Sequence, residues 1–203
     1  MGKYSLYIDD VSVEAVFNKL GGVEGAKRFL RGELVVSEPD RTWREEDGVI
    51  YFSVTSDGTT GEAWITRIES KGFCLSEYAK SVLRSPDFVP TNGIATEVAM
   101  LKGSLFTDAD RITENIRAGA TKREFTTPNA EVACLVREKF TDKEIAEMGL
   151  WYITTMHESI NDSGNNPRLL TTDRYDDGSW LSAYNDGPDR RWDRDGGFAF
   201  VAP

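Results

Sequence analysis

The chain predicts an α+β domain, on three observations. Helix-start signals recur along its middle, a β-branched and aromatic run at residues 49–55 divides the early helices from the later ones, and short strands with turn chemistry fill the C-terminal end. Runs of helix signals followed by runs of strand signals, without regular alternation, point to α+β rather than to a parallel α/β sheet. A length of 203 residues suits one such domain with a small extension. The expected division is an N-terminal helical segment, 1–40, and a main domain, 41–203.

Taken in order, Val13, Val16, Phe17 and Leu20, then Val23, Ala26, Phe29 and Leu30, have helical spacing on either side of Gly21-Gly22, so two short helices meet at a glycine corner. Leu34-Val35-Val36 reads as a brief strand closed off by Pro39. Val-Ile-Tyr-Phe-Ser-Val-Thr at 49–55 is the clearest strand, and Ser56-Asp-Gly58 turns the chain. Thr59 and Glu62 stand at capping-box spacing before a helix with Trp64, Ile65 and Ile68 on one face, ended by Gly72. Ser76 opens a helix that must stop before Pro86.

Residues 94–101 fit strand or helix equally. Thr107 is placed to cap a helix running through Arg111, Ile112 and Ile116. Thr127-Pro128 leads into a helix over 130–140, and Thr141 with Glu144 repeats the capping box before Gly149. Leu-Trp-Tyr-Ile-Thr-Thr-Met at 150–156 is an apolar strand whose Trp151 and Tyr152 are expected in the core. Residues 161–167 are turn chemistry, and strands follow at 179–184 and 197–201.

A formal charge of −10 excludes the concentrated basic surface that nucleic-acid binding needs. No membrane-length apolar run or signal-peptide stretch follows Met1-Gly-Lys-Tyr-Ser-Leu6, so a cytoplasmic protein without membrane attachment is expected. Cys74 and Cys134 are isolated and read as free thiols. His157 is the only histidine and lacks a nucleophile motif, which favours a structural role over catalysis. One histidine and two distant cysteines offer no zinc spacing. Gly21-Gly22-Val-Glu-Gly25 lacks the Lys-Ser/Thr of a phosphate loop. No cofactor and no metal site is expected.

The last 33 residues hold seven Asp and four Arg but no Lys, Glu or Met. Tyr, Ser, Gly, Asn and Ala fill the gaps, a composition that supplies contact area and hydrogen bonds at low side-chain entropy. Randomising the two adenines of an Asn codon reaches Asp, Tyr, Ser, Gly, Arg, Ala, Thr and Pro but not Lys, Glu, Gln, Met or Trp. Apart from Trp180 and Trp192, the tail uses only reachable residues. Trp180-Leu181, a polar stretch, Trp192 and then Gly197-Phe-Ala-Phe-Val201 resemble the C-terminal variable region of diversity-generating retroelement target proteins. Those proteins display varied residues on a C-type-lectin-like fold. The remainder of the chain is similar to a set of uncharacterised bacterial proteins with related Gly-Val-Ile-Tyr-Phe-Ser-Val-Thr segments.

The resemblance implies a C-type-lectin-like main domain that displays residues 171–201. Trp180, Leu181, Trp192, Phe198, Phe200 and Val201 would be buried scaffold. Asp173, Arg174, Tyr175, Asp176, Ser182, Tyr184, Asn185, Asp186, Asp189, Arg190, Asp193, Arg194 and Asp195 would face outward and bind a protein or glycan ligand, without catalysis. The formylglycine-generating oxidases share that fold, but no Cys lies beyond residue 134 to serve their copper chemistry. Asp173, Asp176, Asp177, Asn185 and Asp186 offer oxygen ligands for calcium, yet Tyr184-Asn-Asp186 lacks the Trp of the lectin motif. A metal-dependent enzyme, and an intracellular structural or regulatory subunit docking through its N-terminal helices, stand as the alternatives. The oligomeric state is open.

Overall fold

The structure, a computed structural model, describes residues 7–8, 11–35 and 41–203. The chain divides into two compact units, Met1–Arg41 and Thr42–Pro203. In the first, β1 (Tyr7–Ile8) pairs antiparallel with β2 (Val11–Ser12), and α1 (Val13–Lys19) and α2 (Gly22–Leu30) follow. The helices break at the expected glycines, Gly21 and Gly22, both with positive φ. Gly25 then packs directly on the Leu20 carbonyl, where a Cβ would lie 1.6 Å from the oxygen. The expected strand at 34–36 does not form within the described residues: Leu34 bends and Val35 is irregular. Met1 to Leu6, Val36 and Pro39 lie outside the described residues.

The second unit is a nine-stranded mixed sheet with helices on both faces. Its strands are β3 (Arg44–Glu46), β4 (Val49–Asp57), β5 (Cys74–Leu75), β6 (Asn92–Lys102), β7 (Tyr152–Thr155), β8 (Ile160–Asn161), β9 (Pro167–Tyr175), β10 (Gly178–Asn185) and β11 (Gly196–Val201). The order across the sheet is β3-β4-β6-β11-β7-β9-β10-β5, with β8 on β9. The C-terminal strand β11 lies mid-sheet, antiparallel to β6 and parallel to β7. Residues 94–101 are therefore strand, decided by two partners, β4 and β11, that no local signal reveals.

The helices are α3 (Gly61–Ser70), α4 (Glu77–Leu83), α5 (Thr113–Thr121), α6 (Glu131–Lys139) and α7 (Asp142–Glu147). Ser76 caps α4 and the Thr141–Glu144 capping box opens α7, both as expected. Three boundaries differ. Thr60, not Thr59, caps α3, its hydroxyl accepting from the Ala63 N–H, while Glu62 pairs with Arg84 at 2.9 Å and Thr59 bonds Asp57. Thr107 closes a turn on Asp110 rather than a helix, and α5 starts only at Thr113. At α6 the Asn129 carboxamide oxygen accepts from the Glu131 N–H, so Thr127 is not the cap.

Period-two alternation sends the two sides of each strand to different cores. One face (Ile50, Phe52, Val98, Met100, Ile153, Leu170, Leu181) packs under α3, α4, α6 and α7. The other (Val49, Ala99, Leu101, Leu169, Phe198, Phe200) packs with Ile116 and Ala120 of α5 and with Phe125, Met156 and Trp192. The fold class is α+β, as expected.

Candidate functional site

The second face is only partly covered, and the uncovered part is a concavity of about 840 Å³. Its shape follows from how residues 186–195 are pinned. The first N–H groups of α5 have no side-chain cap; the Thr113 N–H donates to the Arg190 carbonyl and that of Glu114 to the Pro188 carbonyl. These satisfy helix-end donors that would otherwise be orphaned. Ile112 bridges Arg191, and the Trp192 indole N–H donates to Thr113 Oγ1 at 3.0 Å. Trp192 is thereby buried, against Tyr152, Tyr184 and Phe198. Gly196 permits the contact beneath, since a Cβ there would sit 2.5 Å from the Tyr152 ring.

The floor is Asp173 on β9, 1 % exposed. It lies opposite Tyr152 of β7 and Trp180 of β10. Tyr184 donates weakly to its Oδ1, at 3.5 Å, and the Tyr184 and Tyr175 hydroxyls stand 2.5 Å apart. Asp173 Oδ2 is buried with no hydrogen-bond partner. Burial lifts the Asp173 carboxyl to about 7, opposed by the Ser182 and Tyr184 hydroxyls and the charge of Arg137. Burial, and next the Tyr175 hydroxyl, also hold the Tyr184 phenol above its ordinary range.

The walls are aromatic. The Arg190 guanidinium lies 4.4 Å from the Trp192 ring and 4.9 Å from that of Tyr184, and its Nε is buried without a partner. Trp151 and Tyr175 are exposed at the mouth, 40 % and 42 %. Tyr152 accepts from the Asp193 N–H at 2.9 Å and is held above its usual range by burial. Asp193, Arg194 and Asp195 form the exposed rim, with Arg191 beside them.

Several expected positions need correcting. Asp173 and Ser182 do not face outward; both are buried, because period two places them over the second core. The Asp186 carboxylate turns to Arg117 at 3.1 Å, and the same guanidinium donates to the Met156 and His157 carbonyls. Arg174, Tyr184 and Arg190 are half-buried, with Arg174 stacked on Trp151. Tyr175, Asp176, Asn185, Asp189, Asp193, Arg194 and Asp195 are exposed. Among the intended scaffold, Leu181, Trp192, Phe198 and Phe200 are buried, whereas Trp180 and Val201 are only half-buried. Trp180 donates to Asp177 at 3.2 Å. Trp151, expected in the core, stands at the pocket mouth.

His157 is buried. It accepts from the Leu170 N–H at Nε2, and its Nδ1 bonds the Glu158 carbonyl, so the ring is a neutral brace whose pKa burial lowers to about 4. Cys74 and Cys134 are free thiols. Among the described residues, no group of three or more His, Cys, Asp or Glu is placed to hold a metal, and no helix is long and apolar enough to cross a membrane. Comparison with protein-family models, curated proteins and solved structures finds no match.

Proposed function

We propose that Thr42–Pro203 is a ligand-binding domain whose site is the C-terminal concavity, with a fixed floor and a replaceable rim. The carrying observation is the coincidence, in one cavity, of exposed aromatic rings and a buried carboxylate oxygen without a partner. Concave, largely aromatic sites with a few fixed polar groups are the usual form of a binding pocket. Asp173 and Ser182 are buried in the frame, and Tyr184, Asp186 and Arg190 are half-buried. Tyr175, Asp176, Asn185, Asp189, Asp193, Arg194 and Asp195 are exposed, and exchange there is cheap.

This division suits a surface that varies while its scaffold stays, as in the retroelement target proteins and their C-type-lectin-like frame. Support for that finer reading is the tail resemblance and its codon-compatible composition. A near-repeat of the codons for residues 171–201, differing at adenines and lying beside a reverse-transcriptase gene, is the expected genomic neighbour. For binding itself, a thermal-shift screen of amino acids, nucleotides and sugars should give a hit that Trp151→Ala and Tyr175→Ala abolish and Arg44→Ala, away from the pocket, does not. No hit with any of the three classes would sink a small-molecule site.

A catalytic reading is favoured by one observation: a buried acid poised near neutrality in a cleft is the form a general acid or base takes. It requires turnover of a panel hit that disappears in Asp173→Asn. A hit bound by both proteins and recovered unchanged returns the site to binding alone.

A further inference from the structure

We infer that the pocket accepts a small dipolar ligand, an organic molecule bearing a protonated amine and an anionic group, with the amine on the Asp173 carboxylate and the anion at the Arg190 guanidinium. The inference rests on the reading of this cavity as a binding site and names what it binds. Two polar atoms of its lining lack hydrogen-bond partners: Asp173 Oδ2, an acceptor of negative character, and Arg190 Nε, a donor on a cation. Both are buried, and each leaves a desolvation cost that a partner would remove. Their signs are opposite, so a ligand with one charge could satisfy only one of them.

The frame explains why neither atom is quenched from within. Asp173 is met by the Ser182 and Tyr184 hydroxyls of β10, with the Tyr175 hydroxyl bonded to Tyr184 further out, while the hydroxyl of its β7 neighbour Tyr152 is taken by the Asp193 N–H. The cation whose charge acts on Asp173, Arg137 of α6, is on the opposite face of the sheet, where it bonds the Phe140 carbonyl at 2.6 Å and pairs with Asp142 at 3.0 Å. Arg190 is held in the corner between the Trp192 and Tyr184 rings, which stand nearly perpendicular. A planar guanidinium so fixed loses little entropy when it takes a carboxylate or phosphate. Asp193 and Asp195 are on the exposed rim, where water solvates them.

Charge-assisted hydrogen bonds are about twice as strong as neutral ones, so an ammonium is the partner that suits Asp173 best once the carboxyl ionises. The exposed faces of Trp151 and Tyr175 offer room for the hydrocarbon body and for attraction to a cation. A volume of about 840 Å³ exceeds the need of one amino acid and suits a short peptide end or a substituted amino acid.

Three probes share a phenyl ring and differ in charge: L-phenylalanine, phenethylamine and 3-phenylpropionate. Their binding is read from the indole N–H signals of Trp151 and Trp192 by NMR at millimolar concentrations. L-phenylalanine should bind tightest. Asp173→Asn should weaken L-phenylalanine and phenethylamine about tenfold, a factor set by loss of one charged contact, and leave 3-phenylpropionate within about twofold. Arg190→Met, which keeps a long stem over Trp192, should do the reverse.

Should Asp173→Asn fail to fold, the native protein still decides. Phenethylamine affinity should rise from pH 6 to pH 8, as the group facing it ionises. Equal affinity at the two pH values, or no indole shift with any probe, overturns the inference. A hit in the broader screen with neutral sugars alone would also overturn it while leaving the binding function standing.

Discussion

On the helix-covered face of the main sheet, Ile50, Phe52, Met100, Ile153, Leu170 and Leu181 meet Trp64, Ile68, Val136 and Phe140 in a continuous apolar core. On the other face, the same strands present Thr154, Thr171, Asp173, Ser182 and Tyr184 beside Phe198 and Leu169. Thr154 and Thr171 hydroxyls bond one another at 3.1 Å, but Asp173 Oδ2 has no hydrogen-bond partner. The first face also buries a charge, yet treats it differently. Arg137, with no exposure, donates to the Phe140 and Asp173 carbonyls, pairs with Asp142 and lies over Phe73 at 4.6 Å. Arg137 Nε too is buried without a partner, but its other nitrogens tie it to the frame away from any cavity, whereas the orphan oxygen of Asp173 belongs to a residue that lines one and is available to a ligand.

The largest effect that tests this contrast is Arg137→Ala. Removing one partner of a buried, hydrogen-bonded ion pair should cost about 3–5 kcal/mol in chemical denaturation. A loss near zero would show that the pair braces nothing. Comparable in size, Trp192→Ala should cost about 3–5 kcal/mol, because it empties a buried site where three other aromatic rings meet. Trp180→Ala, half-buried with one bond to Asp177, should cost less than half as much. Equal losses would mean that the two indoles share one structural role.

The next effect is a pH slope. The folded Asp173 carboxyl holds its proton to about 7, above the ordinary 3.8. Its contribution to stability is therefore complete below about pH 4 and is lost as pH rises through 7. His157 slopes the other way: its folded pKa of about 4 lies below 6.5, so its contribution is complete above 6.5 and lost as pH falls toward 4. The two oppose each other between pH 4 and 6.5; from 6.5 only the Asp173 slope remains of the two, and it fades above 7. Relative to wild type, Asp173→Asn should gain stability from pH 4 to 7, on the order of 1 kcal/mol per pH unit, and level off above 7. Parallel curves for the two proteins over that range would remove Asp173 as a titrating group. The smallest effect belongs to the rim. Arg194→Ala and Asp195→Asn should each shift unfolding by no more than about 0.5 kcal/mol, and a larger loss would show that the rim is part of the frame.

Much of the local structure was legible. Ser76, Thr141 with Glu144, Gly72 and Gly149 announce helix ends through chemistry confined to a few residues, and the strand at β4 declares itself by its β-branched run. The strand β9 was not legible, since Thr171, Thr172, Asp173 and Arg174 look like exposed loop residues. They form a strand because β7 and β10 pair with it on either side. The aromatic anchors Trp192, Phe198 and Phe200 could be named from the tail, but Trp151 could not be placed. Its apolar ring gives no sign that Arg174 covers one face and solvent the other.

Composition and local spacing thus determined the α+β class and the glycine-split helices, which depend on neighbours within one or two turns, while the aromatic skeleton of the C-terminal end was named through the tail's resemblance. Only the tertiary structure decided which acids are exposed and which is buried. Strand pairing and period two fix the face on which a side chain falls, and partners distant in sequence set what it meets there. Asp173 and Asp195 are the same residue type in the same tail. One is a sheet position under Tyr184 and the other a loop position in water, and that difference in solvation is what makes the first a candidate site.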